Sequence, residues 1–178
     1  MARRLGFRPS TDASTSVPRY SHRAVSTTAL FACVMAAILC AMSLMSPVLA
    51  LRRETMTLVT SAGEKQVTVE ITESNEEKAK GLMFRTKLAD DQGMLFFYDT
   101  PQDITMWMRN TYIPLDMVFI RGDGVIHRIE ARTEPLSETI IAAQGQVSAC
   151  LELAGGAAER LGLKAGDTVR HKLFKNAK

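Results

Sequence analysis

Asn110, Thr111 and Asp116 stand out for their chemistry because they are polar side chains inside a run that otherwise reads as buried, between Trp107 and Pro114. A buried carboxylate needs a cation or several hydrogen-bond donors, otherwise it is driven neutral. Arg85 and Arg109 are the cations nearest to hand, and either is expected to pair with Asp116. Two readings follow. In one, Arg85, Trp107, Arg109, Asn110, Thr111 and Asp116 line a pocket in which the indole is an apolar platform and the polar groups orient a polar ligand. In the other, Asn110 and Thr111 build a turn and Asp116 ties down backbone amides at a strand entry.

Other chemistries have weaker support. Six methionines lie beyond residue 50, and Met106 and Met108 share one face of an extended segment. Thioethers suit Cu(I), but methionine is also adaptable core filler, and no Met-x-x-Met repeat or adjacent histidine sharpens the signal. His127 falls on an apolar face with Val125 and Ile129, as a hydrogen-bonded core histidine would, whereas His171 reads as solvated. Cys150 shares a strand face with Ser148 and Glu152, opposite the core residues Val147, Ala149, Leu151 and Leu153, and would act as a nucleophile only beside a histidine. Asp90-Asp91 lacks the alternating oxygen ligands of a calcium loop. Neither a Gly-x-Ser-x-Gly elbow, a phosphate-binding glycine loop nor a His-Glu-x-x-His helix occurs. No cofactor is expected.

The elements that would position these groups are mostly strands. Met56–Thr60 and Gln66–Ile71 read as a hairpin, and Ser74-Asn75-Glu76-Glu77 is a capping box opening a short helix. Met94–Tyr98 reads as a strand, Pro101 breaks the chain, and Ile104–Met108 and Ile113–Ile120 read as further strands, the last with large apolar side chains on both faces. Val125–Ala131 returns after Gly122-Asp123-Gly124, Gln146–Leu153 alternates, a small-residue helix carries Ala157, Ala158 and Leu161, and Thr168–Phe174 closes the set. The fold class is therefore mainly β (α+β): a compact, mainly antiparallel barrel or rolled sheet of about seven strands with two short helices.

The order Gly81-Leu82-Met83-Phe84-Arg85, Gly93-Met94-Leu95-Phe96, Trp107-Met108-Arg109-Asn110-Thr111-Tyr112-Ile113-Pro114-Leu115-Asp116, Leu151-Glu152-Leu153-Ala154-Gly155-Gly156 and Gly166-Asp167 resembles the domain-of-unknown-function 192 family of bacterial and archaeal proteins. The likeness covers essentially residues 56–174. It implies one small β-rich domain acting outside the cytoplasm and supplies no activity. Members often carry an aromatic residue where this chain has Met106, and a lysine where it has Arg109. A site lined by position 106 is thus softer and more flexible here.

The N-terminus fixes the expected compartment. Residues 24–51 are uncharged, five arginines precede them, fourteen apolar residues run from Ala29 to Met42, and Val48-Leu49-Ala50 offers small residues for cleavage. That is the layout of a secretory signal peptide over residues 1–50, with an uncleaved anchor as the alternative. The expected location is periplasmic or extracellular, with membrane attachment only through that segment. Residues 1–50 carry +4 of a whole-chain +3, which leaves residues 51–178 at −1 and without a basic footprint for nucleic acid. Cys33 and Cys40 leave with the segment, so Cys150 has no disulfide partner. Residues 51–178 suffice for one globular domain.

The leading expectation is an exported binding or accessory domain with a site around Trp107–Asp116, recognising a small polar ligand, an envelope component or a protein partner. The alternatives are an enzyme using Arg85, Asn110 and Asp116, and a Cu(I)-handling protein using methionines.

Overall fold

The structure, a computed structural model, describes residues 51–177. The expected signal peptide or anchor over 1–50 lies outside the described residues. The chain opens with the expected hairpin: β1 (Arg52–Thr60) and β2 (Gly63–Thr72) pair from Arg52↔Ile71 to Thr60↔Gly63. Gly63 takes φ +106° at the turn, a conformation that L side chains rarely adopt. Helix α1 (Asn75–Lys80) begins with both halves of its capping box: Glu77 N donates to Ser74 Oγ at 3.1 Å and Ser74 N donates to Glu77 Oε2 at 2.9 Å. Lys78 and Lys80 occupy its last turn, where cations complement the carbonyl end.

β3 (Gln92–Gln102) then runs parallel to β2, so the sheet is mixed rather than purely antiparallel. Helix α1 makes the crossover that a parallel pair requires. β3 continues through Pro101 by way of an irregularity between Phe97 and Gln102, where the sequence suggested a break. The next segment shortens to β4 (Thr105–Met106), which pairs with β7 (Ile141–Ala142), a two-residue strand too short to leave a pattern. β5 (Leu115–Ile120) is buried along its whole length between β6 (Ile126–Glu130) and β8 (Val147–Ala154). Helix α2 (Ala157–Arg160) follows, then β9 (Thr168–Arg170). The last expected strand stops there, and Lys172–Phe174 forms a 3₁₀ turn.

The main sheet has seven strands in the order β6-β5-β8-β3-β2-β1-β9. It curls until its two edges touch at one end, through a bridge between Val125 and Thr168. The result is a half-barrel, the rolled sheet expected. Its concave face holds Val69, Leu95, Val118, Leu151 and Val169, closed by Ala157, Ala158 and Phe174. The other face is also dry. Met94, Phe96, Met117, Phe119 and Cys150 lie under a cover formed by Leu82, Ile104, Met108 and Ala143. That second layer corrects the reading of the Ser148–Cys150–Glu152 face as lying away from the core: all three are buried.

His171 is buried too, where a solvated residue was expected; its Nε2 lies 2.8 Å from Glu54 Oε2 and its Nδ1 accepts from Leu173 N. Burial outweighs the Glu54 carboxylate and lowers the imidazole pKa.

Candidate functional site

The sheet's period of two separates the candidate residues. Asp116 points to the concave face with Val118 and Ile120, and its carboxylate is fully buried. Neither Arg85 nor Arg109 pairs with it, contrary to expectation. Oδ1 accepts from Arg132 N at 2.7 Å and Gly156 N at 2.9 Å, and Oδ2 accepts from Ala158 N at 2.8 Å. These amides belong to the chain after β6 and the entry to α2. Asp116 therefore staples two connections to β5, with both carboxylate oxygens bonded to backbone amides as the amide-binding reading expects.

The opposite face carries a different carboxyl group. Glu152 on β8 is flanked in register by Met94 of β3 and Met117 of β5. It is buried, and its Oε2 has no hydrogen-bond partner among the described residues. Burial pushes its pKa up to about 8, with Arg85 opposing the shift by charge. Glu152 opens into a small cleft also lined by Lys78, Lys80, Met83, Met106, Trp107 and Thr111. The cleft holds about 30 Å³ of free space, roughly one water molecule. Trp107 and Thr111 are thus the two expected site residues that line this cleft, Arg85 lines a separate one with Arg53 and Glu70, and Glu152 is the group that the sequence reading missed.

Arg85 is bonded to Glu70 through both terminal guanidinium nitrogens, and Arg53 holds the same carboxylate at 2.7 Å. Burial alone would raise the Glu70 pKa; the two arginines reverse that and hold it low. Arg109 faces outward, stacked 4.7 Å from the Trp107 ring centroid and forked onto Glu138 at 3.0 and 3.2 Å. Asn110 Nδ2 donates to Met83 Sδ at 3.9 Å. Arg85, Asn110 and Asp116, the trio of the enzyme alternative, therefore do not converge. Each is bonded elsewhere.

Cys150 is fully buried in the second layer, and burial pushes its thiol well up. Its histidine candidates are engaged with other groups, His171 with Glu54 and His127 Nε2 with Gln144 O at 3.3 Å. Asp90 accepts two bonds from Arg160, at 2.6 and 2.7 Å, in keeping with a loop anchor. Among the described residues, no group of three His, Cys, Asp or Glu side chains is placed to hold a metal ion.

Around the cleft mouth the surface turns apolar. Phe84, Trp107, Tyr112, Leu136 and Ile140 are the large hydrophobics left exposed among the described residues, between 43% and 58% accessible. They lie on three segments bonded to one another. Phe84 N donates to Asn110 O at 2.8 Å, Leu136 N to Thr111 O at 3.0 Å, and Met108 N to Ser137 O at 3.0 Å. Phe84 and Tyr112 meet edge to face, with centroids 6.0 Å apart. Phe84, Asn110 and Leu136 all adopt left-handed backbone, at φ 65°, 56° and 63°. For bulky Phe and Leu this is a strained conformation, of the kind that clusters at functional sites.

Residues 57–171 match the model of the DUF192 family, described as "Uncharacterized ACR", and the chain belongs to that family. The chain is similar to a crystal structure of a protein from Novosphingobium aromaticivorans DSM 12444 described as of unknown function: 42% identity, TM-score 0.67, covering 71% of this chain and 90% of the other. It is also similar to a protein from Sinorhizobium meliloti 1021 named as a candidate transcription regulator: 38% identity, TM-score 0.68, covering 70% of this chain and 98% of that one. No curated protein matches the chain.

Proposed function

We propose that this member of the DUF192 family is an exported binding or accessory module that docks a protein partner of the cell envelope on the surface formed by Phe84, Trp107, Tyr112, Leu136 and Ile140. One observation carries the reading: these exposed apolar side chains gather on three interlocked segments, two of them presented from strained backbone. Folding alone favours the opposite arrangement, because an exposed Leu or Phe gains little from burial while its left-handed φ costs about 1–2 kcal/mol. Aromatic residues of this kind are also the usual anchors of protein interfaces. Arg109, held by Glu138, fixes the Trp107 ring in its outward pose. Export rests on the arginine-rich start, the apolar run Ala29 to Met42 and the Val48-Leu49-Ala50 end. A nucleic-acid partner has less support, since residues 51–178 carry a net charge of −1.

The test uses a photoreactive amino acid at Leu136 or Trp107 of the full chain in living cells. The expected result is one defined adduct at both positions and none at Lys65, on the far hairpin. The captured protein, once purified, binds the wild-type chain and binds Leu136→Asn at least tenfold more weakly. Identical labelling at Lys65, an adduct with the mass of two copies of this chain, or unchanged affinity of Leu136→Asn would each overturn the reading.

A further inference from the structure

We propose that the cleft between α1 and Trp107 is a binding site for a carboxylate group, one oxygen of which sits against Glu152 while Lys78 and Lys80 balance its charge. Glu152 is the first observation: a buried side chain lining the cleft, with one oxygen that has no partner among the described residues. The lysines are the second. Both line the same cleft from the last turn of α1, and neither forms an ion pair with a carboxylate among the described residues. An idle carboxyl oxygen beside two unpaired cations suits an anion that also accepts a hydrogen bond. Shape narrows the class. The free space of about 30 Å³ takes one oxygen atom, and the apolar walls of Met83, Met106 and Trp107 suit a flat group rather than a tetrahedral phosphate. Thioether chains are flexible enough to turn aside and admit it. The rest of the ligand has room nearby, because Lys78 also lines a shallow groove of about 320 Å³ with Tyr98, Thr100 and Gln102.

The chemistry is that of an acid paired with a carboxylate. Burial pushes the Glu152 pKa up to about 8, so at pH 7 the group keeps its proton and donates its O–H to the incoming oxygen. No covalent bond forms or breaks. Once Glu152 ionises, two carboxylates share the cleft and repel each other, so binding weakens as pH rises through 8. The charged and titratable groups facing Glu152 are Arg85 from the loop after α1, Lys78 and Lys80 from α1, and Cys150 from its own strand. Arg85 is paired with Glu70, and burial keeps the Cys150 thiol well up. Met94 of β3 and Met117 of β5 flank Glu152 in register without charge. The site shares only Trp107 with the partner surface and stands without it.

Trp107 is the one tryptophan of the sequence, so its fluorescence reports on the cleft directly. The purified full chain is titrated at constant ionic strength with butyrate and with a tripeptide carrying a free C-terminal carboxylate; phosphate and the tripeptide amide are the controls. The expected result is a saturable change in Trp107 emission with a carboxylate and none with the controls. Saturation by butyrate marks a free acid as the ligand, and saturation by the tripeptide acid alone marks a carboxylate borne by a polypeptide. Affinity falls about tenfold between pH 7 and pH 9, as the protonated fraction of Glu152 does. Lys78→Gln and Lys80→Gln each weaken binding by about threefold or more, and Lys65→Gln on the far hairpin leaves it unchanged. Glu152→Gln keeps an N–H donor and removes the pH dependence. Urea midpoints check the fold of each variant. Calorimetry of the wild-type chain at pH 8.5, in buffers of different ionisation enthalpy, reads uptake of a proton on binding and needs no substitution. Phosphate binding as tightly as a carboxylate, unchanged affinity in both Lys78→Gln and Lys80→Gln, or no proton uptake at pH 8.5 would each overturn the assignment. No saturable response to either carboxylate would overturn it too, leaving an ordered water as the occupant.

Discussion

Asp116→Asn is the sharpest probe of how this fold is held, because the substitution replaces one carboxylate oxygen with an NH₂ group and changes almost no volume. In the best rotamer the side chain keeps Oδ1 toward Arg132 N and Gly156 N and turns an NH₂ toward Ala158 N, so two donors face each other. Two charge-assisted bonds become ordinary ones, at about 1 kcal/mol each, and one buried amide loses its acceptor, at about 1–3 kcal/mol. Removing a buried charge returns part of this, so the net loss is about 2–4 kcal/mol. With a urea slope of about 2 kcal/mol/M, the midpoint falls by about 1–2 M at unchanged slope. The pairing matters as much as the size. Since neither Arg85 nor Arg109 touches Asp116, Asp116→Asn combined with Arg85→Met or Arg109→Met is additive within about 0.5 kcal/mol. A loss below about 0.5 kcal/mol, or coupling above about 1 kcal/mol to either arginine, would refute the amide-staple account.

Three further outcomes are expected. Glu152 gives up its proton near its ordinary 4.5 when unfolded but only at about 8 when folded, so its contribution is fully present below pH 4.5, falls as pH rises and is lost above 8; Glu152→Gln flattens that slope between pH 5 and 8 in urea unfolding and is more stable than wild type at pH 8, and parallel slopes would refute it. Gly93→Ala places a methyl group 2.6 Å from the Glu152 carbonyl oxygen and 3.0 Å from Leu153, so β3 and β8 must part, and thermal unfolding shows a loss of about 1–3 kcal/mol. N-terminal sequencing of the exported protein reads Leu51 first, whereas residues 30–45 recovered intact in the membrane fraction convert the segment to an anchor.

What the sequence revealed was what is local. The β1–β2 hairpin and the Ser74–Glu77 capping box depend on residues within a few positions of each other, and both stand where the pattern put them. The burial of Asp116 also followed from alternation with Val118 and Ile120. Its partners did not, because backbone amides 16 to 42 residues away leave no mark in side-chain types, while two nearby arginines draw the eye. Glu152 was missed for a related reason. Its face of β8 looks polar in isolation, with Ser148 and Cys150 beside it, and only the pairing of β8 with Met94 and Met117 shows that this face is dry. The usable signal was in β5: a strand apolar on both faces requires a neighbour that is buried on both faces too.

The two buried carboxyl groups separate what holds the fold from what the fold leaves over. Asp116 spends both oxygens on amides, and every bond it makes joins segments distant in sequence; removing it unstitches the concave face. Glu152 makes no such bond with Oε2, is driven toward its neutral form by its surroundings, and sits where glutamine or leucine would pack at lower cost. Phe84 and Leu136 repeat the pattern at the surface, with strained backbone holding apolar side chains in water. Both departures border Trp107: Glu152 shares its cleft from strand β8, and Phe84 and Leu136 lie on segments bonded to the Met108–Thr111 stretch. Left-handed backbone also occurs at Arg132, beside Asp116, and at Gln144 and Lys175, but there it carries polar side chains. A protein whose only task was to fold would have no reason to set an unpartnered buried carboxyl group beside exposed apolar side chains on strained backbone, and that pairing is why the cleft and its rim, rather than the polar string ending at Asp116, are the part of this molecule to probe for binding.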